Sequence, residues 1–73
     1  MMMDFERAIL TLMAEKGIRS RRELARLAGL HINTIGHVMR MQDGIPIRSL
    51  PDIARALGVT PSEVIRRAEQ PND

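Results

Sequence analysis

The chain contains no cysteine, tryptophan or tyrosine, and Phe5 is its one aromatic residue. Without cysteine, disulfides, iron–sulfur clusters, thiolate zinc sites and cysteine nucleophiles are excluded together, which suits a reducing compartment. Without aromatic rings there is no platform on which the bases of a single strand could stack. Apolar runs stop at three or four residues, far short of the roughly 20 that a membrane-spanning helix needs, so no membrane partner is expected. The start Met1-Met2-Met3-Asp4 lacks the cationic stretch and long apolar run of a secretory signal, and the protein is expected to stay in the compartment where it is made.

What is present fits one small domain over residues 1–73. A chain of this length buries only about 60 % of its unfolded surface, so a single helical unit is the natural solution. The net charge is a modest +2, but it is unevenly placed. Residues 1–17 and 49–73 each carry −1, whereas Arg19, Arg21, Arg22 and Arg26 against Glu23 give +3 over 18–30, and Arg40 and Arg48 against Asp43 add +1 over 31–48. A basic centre between slightly acidic ends either addresses phosphates or solvates helical surface.

Periodicity predicts five helices. Phe5, Ala8, Ile9, Leu12 and Met13 form an i, i+3, i+4, i+7, i+8 stripe over 4–16, closed by Gly17. Ser20-Arg21-Arg22-Glu23 reads as a capping box opening a helix at 21–28 with Leu24, Ala25 and Ala28 inward. Gly29 stops it, and a third helix at 32–41, with Ile35 and Val38 inward, takes His31 or Asn33 as its cap. Ser49 and Asp52 open a fourth at 50–57, burying Leu50, Ile53, Ala54 and Leu57. Thr60-Pro61-Ser62-Glu63 opens a fifth at 61–69 with Val64, Ile65 and Ala68 on one side.

Two short helices joined by a glycine turn have helix-turn-helix geometry. Small Ala25 allows close approach, Gly29 can take positive φ, and Ile35 and Val38 pin the third helix to the core. With those residues in place, Ser20–Val59 resembles the phage repressor and Cro-type (xenobiotic-response-element-type) helix-turn-helix family. Arg22-Glu23-Leu24-Ala25-Arg26-Leu27-Ala28-Gly29-Leu30 is similar to its first half, and Ile53-Ala54-Arg55-Ala56-Leu57-Gly58-Val59-Thr60-Pro61 to its fourth helix and following turn.

The resemblance implies an all-α, five-helix repressor-like domain whose third helix reads base edges. Carried onto this sequence, base readout falls to Arg21, Ile32, Asn33, Thr34, Gly36, His37 and Arg40, and phosphate contacts to Ser20, Arg22, His31, Gln42, Gly44 and Arg48. The sequence departs from the family pattern where His31 stands for the usual Ser or Thr cap, Met39 for a common acid and Met41 for a frequent glycine. Arg21 also replaces the usual Gln. Several of these side chains have a plainer reading alongside. Asn33 bonds adenine or caps a helix, and Ile32 meets a thymine methyl or closes the core edge.

Catalysis has no foothold, since Ser20, Ser49 and Thr60 are accounted for as caps and Ser62 sits in a first turn. The two histidines are six residues apart, on nearly opposite helical faces rather than at ligand-pair spacing, so no metal and no cofactor is expected. The expected function is sequence-specific binding of double-stranded DNA by a small repressor, acting as a homodimer on a palindromic operator in the cytoplasm at the nucleoid. The alternative is an antitoxin that grips a toxin protein and regulates its own promoter.

Overall fold

The structure, a computed structural model, describes residues 4–40 and 48–69. Its helices are α1 (Phe5–Lys16), α2 (Arg21–Ala28), α3 (Ile32–Arg40), α4 (Leu50–Leu57) and α5 (Pro61–Glu69), with no strand among the described residues. This is the all-α, five-helix order that the periodicity predicts. One start differs in detail. Asp4 is the cap of α1 rather than its first residue, its carboxylate accepting the Arg7 N–H at 2.9 Å. The predicted last residue of the third helix, Met41, lies outside the described residues.

Ser49 occupies the expected cap position of α4, but its side chain accepts no capping hydrogen bond. The reason is local. Ser49 is already helical (φ −91°, ψ −23°) rather than extended, and Pro51 removes one of the two N–H groups a cap normally receives. The helix therefore starts on the Ser49 carbonyl, which accepts the Ile53 N–H at 3.0 Å. Thr60 does cap α5, taking the Glu63 N–H at 3.2 Å.

α1 is the centre of the packing, lying against α5, α3 and α4, while α2 rests on α3 and α4. The whole predicted stripe of α1 is buried, and Phe5, Ile9 and Leu12 meet Leu24, Ile35, Val38, Ile53, Leu57 and Val64 in one core. Each such side chain contributes about 1.5–3 kcal/mol by leaving water. Ile18, between α1 and α2, joins this core because its N–H returns to the Met13 carbonyl at 2.9 Å, folding the side chain back over the end of α1. Of the predicted apolar side of α5, Val64 and Ala68 are buried and Ile65 is half-buried.

The start of α1 and the end of α5 are tied by polar contacts. The Asp4 N–H donates to the Ala68 carbonyl at 3.0 Å, and Arg7 Nη2 to the Arg67 carbonyl at 3.0 Å. The Arg67 guanidinium bridges two acids, reaching Glu63 through Nε at 2.9 Å and Glu15 through Nη1 and Nη2 at 3.2 and 3.3 Å. Glu63 also receives Arg66, and hydrogen bonds from Arg66 and then Arg67 hold its carboxyl below the ordinary glutamate value. Arg67 is shifted upward by Glu15 and then Glu63.

Candidate nucleic-acid interface

The helix pair α2–α3 is assembled by short-range rules. Ser20 is extended (φ −150°, ψ 157°), and its hydroxyl accepts the Glu23 N–H at 3.0 Å. Glu23 turns back as a capping box requires, but to the Arg19 N–H at 3.1 Å rather than to that of Ser20, satisfying a donor just outside the helix. Leu24, Ala25 and Ala28 are buried. At Gly29 the backbone is left-handed (φ 71°, ψ 31°), and the Leu30 N–H closes on the Ala25 carbonyl at 2.9 Å. A Cβ at Gly29 would meet nothing within 4 Å, so glycine is needed here for its backbone angle and not for space.

His31, not Asn33, caps α3. Its carbonyl accepts the Thr34 and Ile35 N–H groups at 3.0 and 3.4 Å, and its Nδ1 accepts the Asn33 N–H at 3.1 Å. An Nδ1 that accepts cannot carry a proton, so the neutral ring holds its proton on Nε2, an outward donor. Asn33 is thereby the second residue of the helix, exposed, and its amide makes no hydrogen bond among the described residues. His37, one turn later, is exposed and equally unengaged. Residues four apart lie on one helical face.

Between them Gly36 leaves a bare stretch of backbone. A Cβ there would touch only the tip of Arg40, Nη1 at 3.4 Å. Ile32 is 36 % exposed, partly covered at the edge of the helix. Thr34 is half-buried and Arg40 exposed. The inner face of α3 is Ile35, Val38 and Met39. Met39, which the sequence marks only as a departure from the family pattern, is a core residue 5 % exposed; its spacing of four from Ile35 is the signal that identifies it.

Charge follows the same partition. Arg7, Arg55, Arg66 and Arg67, outside the basic centre, each pair with an acid. Within it, Arg26 reaches Glu23 at 3.9 Å, and Arg21 meets Glu6 of α1 at 3.0 Å. Arg19, Arg22, Arg40 and Arg48 have no acidic partner among the described residues, and all four are exposed. Four exposed guanidinium groups without an acidic partner among the described residues, together with the unengaged amide and imidazole of α3, suit a polyanion with readable edges. Gln42 and Gly44, expected to touch phosphates, lie outside the described residues. Among the described residues no three His, Asp or Glu gather as metal ligands, and no helix is long and apolar enough to cross a membrane.

A family model of the Cro/C1-type HTH DNA-binding domain matches residues 8–70. The chain belongs to the Cro/C1-type helix-turn-helix DNA-binding family. The match takes in α2 to α5 whole and all of α1 from Ala8 onward. No curated protein and no solved structure matches the chain. A Cro/C1-type domain is a module of DNA-binding transcriptional regulators, a family of binders rather than enzymes, and double-stranded DNA is the partner it implies. The match includes the α2–α3 pair and its turn at Gly29.

Proposed function

We propose that the protein is a sequence-specific transcriptional repressor that binds a palindromic operator as a homodimer and works at the nucleoid. The observation that carries this reading is the outer face of α3, where Asn33 and His37 stand one turn apart with no partner among the described residues and Gly36 carries no side chain between them. Asn33 matches the donor–acceptor pair of adenine, and His37 donates to guanine N7 or O6. Arg21 reads from the start of α2, with Ile32, Thr34 and Arg40 beside the central pair. Ser20, Arg22, His31 and Arg48 hold the phosphates, His31 through Nε2–H, and Gln42 and Gly44 complete that set.

Nine residues of α3 span about 14 Å at 1.5 Å per residue, enough for only a few base pairs. A second copy supplies the rest of the specificity, with the two reading helices about 34 Å apart on one face of the duplex. Selection of bound sites from random duplex DNA tests the reading, because it returns binding, half-site and spacing together. The expected result is an inverted repeat whose centres are one helical turn apart, with two chains per site in sedimentation of the complex. One chain per selected site overturns the dimer, and no enrichment of any sequence overturns specific readout. An antitoxin would use the same DNA face and differ by a tightly co-purifying toxin-sized protein encoded beside it.

A further inference from the structure

Among the described residues, Arg21 is the one arginine of the basic centre joined to an acid on another helix. Its Nη2 lies 3.0 Å from Glu6 Oε2. α1 and α2 contribute to one core, and this pair crosses between them on the surface. The side chains are 47 % and 55 % exposed, and an ion pair so open to water adds little to stability. Glu6 also lies before the span that the family model matches, residues 8–70.

We infer that Glu6 is a specificity-determining residue that acts through Arg21; the inference rests on the DNA-binding reading above. An unpaired arginine is drawn to any phosphate. It then adds equally to binding of right and wrong sequences and steepens the salt dependence by about 0.9 per contact. Glu6 cancels that attraction for Arg21 and sets a carboxylate at the edge of the DNA face, where it repels every backbone alike. The guanidinium keeps its use for a base. It has five N–H donors in a fixed plane, and Glu6 takes one of them, so four remain, more than the two that the paired acceptors of a guanine edge need, while the carboxylate holds the plane in position. Arg19, Arg22 and Arg48, with no acidic partner among the described residues, are left to hold phosphates. Arg21 is reserved for reading.

The test compares the full chain with Glu6→Gln, Arg21→Ala and the double variant, on the selected operator and on a scrambled duplex of the same length, over a series of salt concentrations. Gln keeps an acceptor for Arg21 and removes the charge. Glu6→Gln should tighten the scrambled duplex by about three- to tenfold at low salt and steepen its salt dependence by about one unit. The operator should gain less, so that the ratio of specific to non-specific binding falls. In the Arg21→Ala background the effect on that ratio should vanish. Equal tightening on both duplexes, or a Glu6→Gln effect on the ratio that persists without Arg21, overturns the inference while leaving the DNA-binding reading intact. Absence of salt-dependent duplex binding by the unaltered chain overturns that reading itself. Thermal melts of each variant confirm that the comparison is between folded proteins.

Discussion

Replacing Gly36 with alanine should stabilise the protein and weaken its grip on DNA, a divergence that few substitutions produce. Gly36 is the fifth of nine residues in α3, with a φ that is not positive. A helix-interior glycine is less favourable than alanine by about 0.8–1 kcal/mol. The added methyl would meet only Arg40 Nη1, at 3.4 Å, an ordinary contact with the movable end of an exposed side chain. Nothing in the packing offsets the gain, so most of it should appear as stability. For a domain of this size that is a rise in Tm of about 4–8 °C per kcal/mol. On DNA the methyl stands between Asn33 and His37 where backbone would otherwise approach the groove, and operator affinity should fall by about tenfold, or 1.4 kcal/mol. Denaturant or thermal unfolding of the free protein and a binding titration give the two numbers separately. A variant that is less stable would refute the reasoning about space around Gly36. A more stable variant with unchanged affinity would refute the placement of α3 against DNA.

Other expectations follow from the same contacts. Arg22→Ala should weaken all duplexes about equally and lower the salt slope by about one unit, and a changed base preference at constant slope would contradict its assignment to a phosphate. Gly29→Ala should cost about 1 kcal/mol or more, because its φ of 71° is strained for any residue with a Cβ, although the methyl itself has room; an unchanged Tm would contradict this. The α1–α5 tie should respond to acid. Glu63 has a lowered folded-state pKa, so its stabilisation is present above the ordinary glutamate value and is lost as pH falls through the folded one. The Tm difference between the parent chain and Glu63→Gln should therefore be present at neutral pH and shrink on that acidic side. A difference that is constant down to low pH would contradict the assigned ion pairs.

The features legible in the sequence are those governed by neighbours within four residues. The apolar stripe of α1, the Ser20 and Thr60 caps and the left-handed Gly29 all depend on local spacing. So does the shared outer face of Asn33 and His37. Ser49 misled because a cap needs an extended backbone and two receptive N–H groups, and Pro51 withholds one of them. Met39 was hidden for a different reason: a comparison with a family pattern marks what differs, whereas burial follows from helical phase. Pairs distant along the chain left no trace at all. Arg67 finds Glu15 across 52 residues and Arg21 finds Glu6 across 15, and only the packing of the helices brings these charges together. For the same reason the sequence counts Arg21 among the basic residues of the centre without showing that an acid from α1 already faces it.

The claim that the outer face of α3 reads DNA is tested most directly by titrating Asn33→Ala and His37→Ala against every single-base variant of one half-site. Each substitution should remove about 1–3 kcal/mol of discrimination at a single base pair. The two affected pairs should be neighbours, and the salt slope should stay nearly unchanged, since neither side chain neutralises a phosphate. Losses spread uniformly over the whole panel would contradict the account, because they would mean that these residues only support the helix.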